Sequence, residues 1–450
     1  MHRRSLIIIA IVALLVVTGV TVGLVEARAQ GEPHLAAITS AQLLANVAQH
    51  AGDVSAVSGD VTWKNDVLGL SMLSFGGQGS GGFTALLSGG SGRIWVQGGK
   101  ARFEIQGAIG DTTVVADSTS VWVYTSSGNA ATEYTLPAGS KATQGAEPSG
   151  STQSSQTAVT DPVAAIESFV QKLAPDATLA VGDQVTVAGQ SCYVLSLIPK
   201  ATNTVFGSVQ VAIDSKTYLP LKLDVYAKGA VKPVLTAGFT SVSYSKLADS
   251  TFAFTPPPTA KVEHKTLTIP AIAGKLGTGS GLGPDSASDQ SSTSDDQASL
   301  TLAEAAAKAG FTPPAAQTSD SALVFGGASV IPSRQVGLRA LLGQFQTVTP
   351  PSSLTSDPIT VGPTVIQRYG HGFGTVVLVE AKVPTELGAQ LGQALTAVPL
   401  VSRTTAGSVT VYQLNTALGC VALWDTEGLL FVAAGSVSQT DLAGFIASVR

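Results

Sequence analysis

Between Gly92 and Pro137 the chain reads GRIWVQGGKARFEIQGAIGDTTVVADSTSVWVYTSSGNAATEYTLP, and this stretch limits the fold more than any other. It holds about five strand-length runs parted by tight-turn signals. Ile94-Trp95-Val96 stops at Gly98-Gly99, and Arg102 to Ile105 alternates cleanly before Gly107. Thr113 to Ala116, Val121 to Tyr124 and Thr132 to Leu136 follow, the last halted by Pro137. β-Branched and aromatic runs bounded by Gly, Asp, Asn and Ser predict an antiparallel meander. Alternation puts Phe103 and Ile105 on one face and Arg102, Glu104 and Gln106 on the other, a sheet with one wet side. Val121-Trp122-Val123-Tyr124 is apolar on both faces, so apolar groups are expected against each.

The flanking sequence extends this sheet. Leu35, Ile38, Leu43, Leu44 and Val47 recur at helical spacing, with Thr39 or Ser40 as N-cap, and a strand from Val54 to Trp63 follows. Val67 to Ser88 is apolar yet Gly-rich and keeps neither strand nor helix period. It reads either as a hairpin connection or as a flap over a pocket, since Leu68, Leu70, Met72, Leu73 and Phe75 left exposed would form an apolar patch. Ala138 to Thr160 is a polar excursion, after which Asp161-Pro162 opens a helix ended by Pro175. Further strands are expected at 184–188, 192–198, 205–213, 221–226 and 234–244, closing near Phe252 to Pro258. A linker from about Gly274 to Ser299 then leads to a second α+β region. Its expected helices are 302–309, 386–395 and 439–448, and its expected strands 322–325, 364–367, 374–379, 408–414 and 429–433.

His2-Arg3-Arg4 precedes an uncharged apolar run and then Ala27-Arg28-Ala29. Residues 1–30 therefore read as a cleaved secretory signal or, since about 20 apolar residues can span a bilayer, as a retained anchor. Either reading places the remainder outside the cytoplasmic membrane, anchored to its outer face if residues 5–25 stay. No cysteine follows the apolar run, so the chain is not itself a lipoprotein. Low charge (12%) with abundant Gly, Ser, Thr, Ala and Val suits an exported β-rich protein. A net charge of −5 offers no footprint for nucleic acid.

The chemistry-bearing residues are sparse. The five histidines fit no metal-ligand spacing, and no G-x-S-x-G elbow occurs. Gly77 to Gly82 satisfies G-x-G-x-x-G but opens no helix, so dinucleotide binding is not expected. His371, in Tyr369-Gly370-His371-Gly372-Phe373, reads as a turn residue and not as a base. Cys192 and Cys420 lie in apolar runs and read as two separate buried side chains, the alternative being a bridge between domains. No enzyme, no cofactor and no metal is expected.

Gly92-Arg93-Ile94-Trp95-Val96, then Arg102-Phe103, then Ala116-Asp117 followed by Val121-Trp122-Val123-Tyr124 and Asn129, resemble the signature of the LolA lipoprotein-carrier family. The resemblance spans about residues 36–260. Beyond it the chain is similar to actinobacterial secreted or anchored LolA-like proteins with an extra C-terminal domain, weakly DUF4367-like. It implies an incomplete antiparallel β-barrel wrapped around helices and enclosing an apolar cavity. Relatives of this kind carry lipoprotein acyl chains, bind glycolipids, or, like RseB, regulate anti-sigma factors. Gly98-Gly99 stands where the carriers place an Arg after the W-V-K strand, so an Arg-latched lid is not supported.

The expected class is α+β: a LolA-like half-barrel over 34–265, a linker over 266–299 and a smaller α+β domain over 300–450. The expected function is non-enzymatic binding of a lipid or lipoprotein acyl chain in an apolar cavity. The alternative is an RseB-like regulator acting through a membrane-bound partner. Candidate lining residues are Trp63, Leu68, Leu70, Met72, Phe75, Trp95, Phe103, Ile105, Trp122 and Tyr124. Each aromatic reads equally well as plain core, because the register decides which face it occupies.

Overall fold

A computed structural model describes residues 35–50, 52–67, 89–107, 110–135, 170–171, 173–266, 299–318, 320–336, 359–396, 398, 400–406, 409–426 and 428–449. The N-terminal apolar run, residues 68–88 of the hairpin connection or flap, the polar excursion and nearly all of the linker lie outside these residues, as does most of the helix expected from Asp161. Val170, Gln171 and Leu173 are helical.

Among the described residues the first sheet has twelve strands. In chain order they are β1 (Ala56–Asn65), β2 (Gly89–Gln97), β3 (Lys100–Gln106), β4 (Thr112–Ala116), β5 (Ser120–Thr125), β6 (Ala130–Thr135), β7 (Ala177–Val187), β8 (Gln190–Pro199), β9 (Phe206–Asp214), β10 (Pro220–Ala227), β11 (Leu235–Phe239) and β12 (Lys261–Thr266). They lie in the order β12-β6-β5-β4-β3-β2-β1-β11-β10-β9-β8-β7, so the sheet is open, with β12 and β7 at its edges. The meander between Gly92 and Pro137 is present as β2 to β6. Gly98 and Gly99 turn β2 into β3 with φ of 58° and 89°, the paired positive values of a type I′ hairpin. The strand expected over 234–244 ends at Phe239, where the chain crosses Gly59 so closely that a Cβ there would strike the Ser241 carbonyl.

Helix α1 (Ser40–His50) packs on this sheet. Thr39 caps it: its hydroxyl accepts from Gln42 N at 3.2 Å while Gln42 Oε1 accepts from Thr39 N at 3.0 Å. Leu43, fully buried, meets Tyr193, Leu195 and Ile213, with Leu44, Val47, Val181 and Val211 around them. Among the described residues α1 packs on this sheet through Leu43, and a barrel wrapped around helices is not shown. The barrel is not closed.

The second sheet is antiparallel and runs β13 (Phe325–Ile331), β16 (Thr364–Tyr369), β17 (Val376–Lys382), β21 (Leu429–Gly435), β20 (Gly419–Thr426), β19 (Val409–Thr416), β18 (Val401–Ala406). A two-stranded ribbon, β14 (Arg334–Val336) with β15 (Ile359–Val361), stands beside it. Helix α2 (Leu302–Ala309) opens with a full capping box between Thr301 and Glu304 and ends on Gly310 in the left-handed region, so both helix ends are satisfied locally. Helices α3 (Thr385–Thr396) and α4 (Gln439–Ser448) follow, and Leu442, Phe445 and Ile446 of α4 fill the core over Trp424 and Phe431. The strand expected at 322–325 instead begins at Phe325, since Asp320 caps a turn through Ala322.

Candidate functional site

Register assigns every aromatic of the meander to a face. Ile94, Phe103, Val114 and Val123 lie opposite one another in one row across β2 to β5. Trp63 begins a second row, opposite Ala237, Leu223, Val211 and Leu195 in turn. Leu195 and Val211 carry α1, so this second row marks the helix-side face. Trp63 meets Phe103 at a ring separation of 5.7 Å, which puts both rows on the same face. Ile105 joins them in one core with Val61, Ile94, Val96 and Ala237.

The glycines of β2 make room for these rings. A Cβ on Gly90 would lie 2.9 Å from the Trp63 indole, and one on Gly92 would sit 3.1 Å from the Phe103 ring and collide with the Glu104 carbonyl. The Gly89-Gly90-Ser91-Gly92 run thus trades local strand stability for aromatic coverage. Beside Trp63 a cavity of about 50 Å³ opens, lined by Val61, Trp63, Val211, Leu221, Leu223 and Phe239 among others. Because one water needs about 10–15 Å³ on this measure, the space suits only the few terminal methylenes of a chain. The row Phe103, Val114 and Val123 is half-buried, so apolar surface continues outward from the β1–β2 core. Thr112 stands opposite Ile105, is 6% exposed, and its hydroxyl has no hydrogen-bond partner.

Trp95, Trp122 and Tyr124 occupy the opposite face. Trp95 lies opposite Arg102, Arg102 opposite Val115, and Val115 opposite Trp122. Residues 247–260 form a strap over this face. Gln97 bonds Leu247 twice, Lys100 pairs with Asp249 at 2.9 Å, and Arg102 donates to the Thr251 and Ala253 carbonyls. Phe254 then meets Trp122 and Tyr124 at 5.6 and 6.0 Å. The strap delivers β12 parallel to β6, with a Lys261–Glu263–Lys265 ladder on the sheet edge. Charge marks this face as well: Arg93 stacks on Trp95 and pairs with Asp60, whose carboxyl is held below its usual range first by the Ser241 hydroxyl and then by Arg93.

The ten sequence candidates therefore divide. Trp63, Phe103 and Ile105 come together on the helix-side face. Trp95, Trp122 and Tyr124 are placed under or beside the strap. Leu68, Leu70, Met72 and Phe75 lie outside the described residues. The sequence reading missed Val211, Leu221, Leu223 and Phe239, although alternation in β9 and β10 carried the signal. Cys192 and Cys420 are both free and buried, and burial pushes the Cys192 thiol up to about 12. Among the described residues no cluster could hold a metal ion, and no helix is long and apolar enough to cross a membrane.

Neither a family model nor a curated protein matches the chain. Solved structures do resemble it. The Pseudomonas aeruginosa MucA/MucB complex matches at 13% identity and TM-score 0.39, covering 91% of this chain and 98% of that one. MucB in complex with MucA(peri) matches at 13% identity and TM-score 0.38, over 91% and 97%. A LolA-superfamily protein of Nitrosomonas europaea matches at 11% identity and TM-score 0.20, over 48% and 99%. At such TM-scores the likeness assigns this chain neither a family nor a function.

Proposed function

We propose that this is an extracytoplasmic, non-enzymatic protein that takes an acyl chain of a lipid or lipoprotein on the helix-side face of its first sheet. The observation that carries the reading is the apolar cavity beside Trp63, adjoining the half-buried row Phe103, Val114 and Val123. Each methylene removed from water contributes about 0.8 kcal/mol, so four in the cavity give about 3 kcal/mol, and the outer row supplies the rest. The unpartnered Thr112 hydroxyl is a donor for an ester or carboxyl oxygen, the single polar contact that an apolar site needs for orientation. Titration with a fluorescent fatty acid tests this. Binding is expected in the purified chain and in Trp95→Ala, and weakened at least tenfold in Val211→Phe, which fills the cavity. Equal binding by all three would place the ligand elsewhere.

A second reading, a module that binds a membrane-bound regulator through the C-terminal domain, is favoured by one observation. Val377, Ala434, Val421, Leu414 and Val401 form an aliphatic row across the second sheet, none of them buried and Val421 40% exposed. Val421→Asp is expected to abolish capture of such a partner while leaving fatty-acid binding intact.

A further inference from the structure

We propose that the β10–β11 loop is a docking tip for an anionic lipid surface. At one end of the first sheet the β8–β9 loop, over 200–205, and the β10–β11 loop, over 228–234, lie side by side. Lys228 N donates to the Val205 carbonyl at 2.7 Å, and Lys228 Nζ donates to the Thr202 carbonyl. Val231 projects from the second loop with 94% of its surface exposed; among the described residues the next most exposed large apolar side chain, Val324, reaches 66%. An isolated exposed valine would need no explanation, but this one stands in a basic frame. Lys228 and Lys232 flank it, both exposed, and Lys200 is exposed on the neighbouring loop, two residues beyond the exposed Ile198.

The two loops together carry three lysines and no Asp or Glu. Among the described residues none of the three is ion-paired with a carboxylate. Lys200 and Lys228 donate to backbone carbonyls, of Ala174 and Thr202. The carboxylates that the backbone brings near are Asp66, half-buried, and Asp176, buried and bonded to His371. The loop is also held in shape before any contact. Gly229 takes φ +77° in the turn, and Pro233 fixes its own φ. Ala230 N donates to the Ala227 carbonyl at 3.0 Å, Val234 N to the Val225 carbonyl at 2.8 Å and Asp66 N to the Val234 carbonyl at 2.6 Å. A braced tip loses little conformational freedom on contact.

An apolar side chain framed by lysines matches the boundary of an anionic bilayer. Val231 enters the acyl margin while Lys228 and Lys232 keep their ammonium groups at the level of the phosphates. Burying the valine strengthens the contact about tenfold, and each lysine near the charged surface about fivefold, so the loop makes a weak, salt-sensitive contact. An acidic protein would satisfy the lysines but leave the projecting valine without a role. The inference stands apart from the acyl-chain reading, since no residue of the loop lines the cavity beside Trp63.

A nitroxide label at Ala230→Cys in the full chain tests the tip; the position is exposed and the native thiols are buried. This local readout separates the loop from the apolar run at residues 5–25. On phosphatidylglycerol vesicles the label should gain collisions with oxygen and lose those with a nickel chelate, as a probe at acyl depth does. Phosphatidylcholine vesicles, or about 1 M salt, where charges are screened beyond about 3 Å, should leave it in water. A label at Ser118→Cys, exposed in the β4–β5 turn at the opposite end of the sheet, should not respond. Lys232→Glu and Val231→Asp, both at exposed positions, should each lower the ratio of immersed to aqueous label at least tenfold and leave fatty-acid titration unchanged. A label that stays in water on phosphatidylglycerol, or responds equally on phosphatidylcholine, overturns the proposal. So does a label shielded by polyglutamate and not by vesicles, which would assign the loop to an acidic protein.

Discussion

Replacing Glu380 by Gln should flatten the pH dependence of the second sheet's stability. Glu380 is 0% exposed in the middle of β17, and its Oε1 accepts from Gln367 Nε2 at 2.6 Å. Gln367 in turn accepts from the Tyr369 hydroxyl at 2.7 Å, and Tyr369 accepts from Ala316 N. Glu380 Oε2 has no partner, so a charge there would be poorly compensated, and burial pushes its carboxyl from 4.5 up to about 8. Below the unfolded value both states are protonated and nothing depends on pH. Above it the unfolded chain ionises while the folded one does not, so stability falls by about 1.4 kcal/mol per pH unit until about 8. The full loss is about 5 kcal/mol, of which about 3 kcal/mol has accrued by pH 7. Gln preserves the bond from Gln367 and cannot ionise, and its amide stands where the neutral acid also lacked a partner. The variant should therefore be about 3 kcal/mol more stable than the parent at pH 7 and equal to it near pH 4.5. With m near 2 kcal/mol/M, that is about 1.5 M in urea midpoint. Pulsed hydrogen exchange read on β17 and β21 peptides separates this sheet from the other. An unchanged slope in Glu380→Gln would mean that Glu380 is already ionised in the folded state, refuting the reasoning.

The glycines of β2 and the buried thiols give two further tests. Gly92→Val forces a Cβ into the Glu104 carbonyl and the Phe103 ring, at a cost of about 1–3 kcal/mol. The melting temperature of the first sheet, read by exchange on its β2 and β3 peptides, should drop by several degrees, whereas exposed Ser91→Val should leave it unchanged; equal effects would remove the ring-packing argument. Cys192 and Cys420 should both resist a thiol reagent at pH 8 until urea unfolds the chain, because both are buried and their thiols are held above the ordinary range. Rapid labelling in native buffer would contradict that burial.

Alternation made most of the fold legible before any coordinates. The meander, α2 and α4 fall where turn chemistry and periodicity put them, because each carries its own local signal: Gly98-Gly99, the Thr301 capping box, the spacing of Leu442, Phe445 and Ile446. What stayed hidden is non-local. β12 reads Lys-Val-Glu-His-Lys-Thr, too polar to announce a strand, and forms only because the strap brings it beside β6. No strand is expected over 419–426, where Asp425 interrupts the apolar residues, yet β20 forms there and its Trp424 stacks on Phe431 in the core. For the site, composition located the aromatics but not their faces. Trp122 and Tyr124 are as apolar as Trp63, and only pairing shows that Phe254 covers the first two while Trp63 borders the cavity. His371 is a turn residue, as its sequence suggested, and its partner Asp176 is 195 positions away.

Native mass spectrometry of the purified chain, followed by lipid extraction, tests the central claim most directly. The account predicts a co-purifying species with the mass of an acyl lipid, retained in Trp95→Ala and lost in Val211→Phe. A bare chain that also fails to take up a fatty acid, or an adduct indifferent to Val211→Phe, would contradict it.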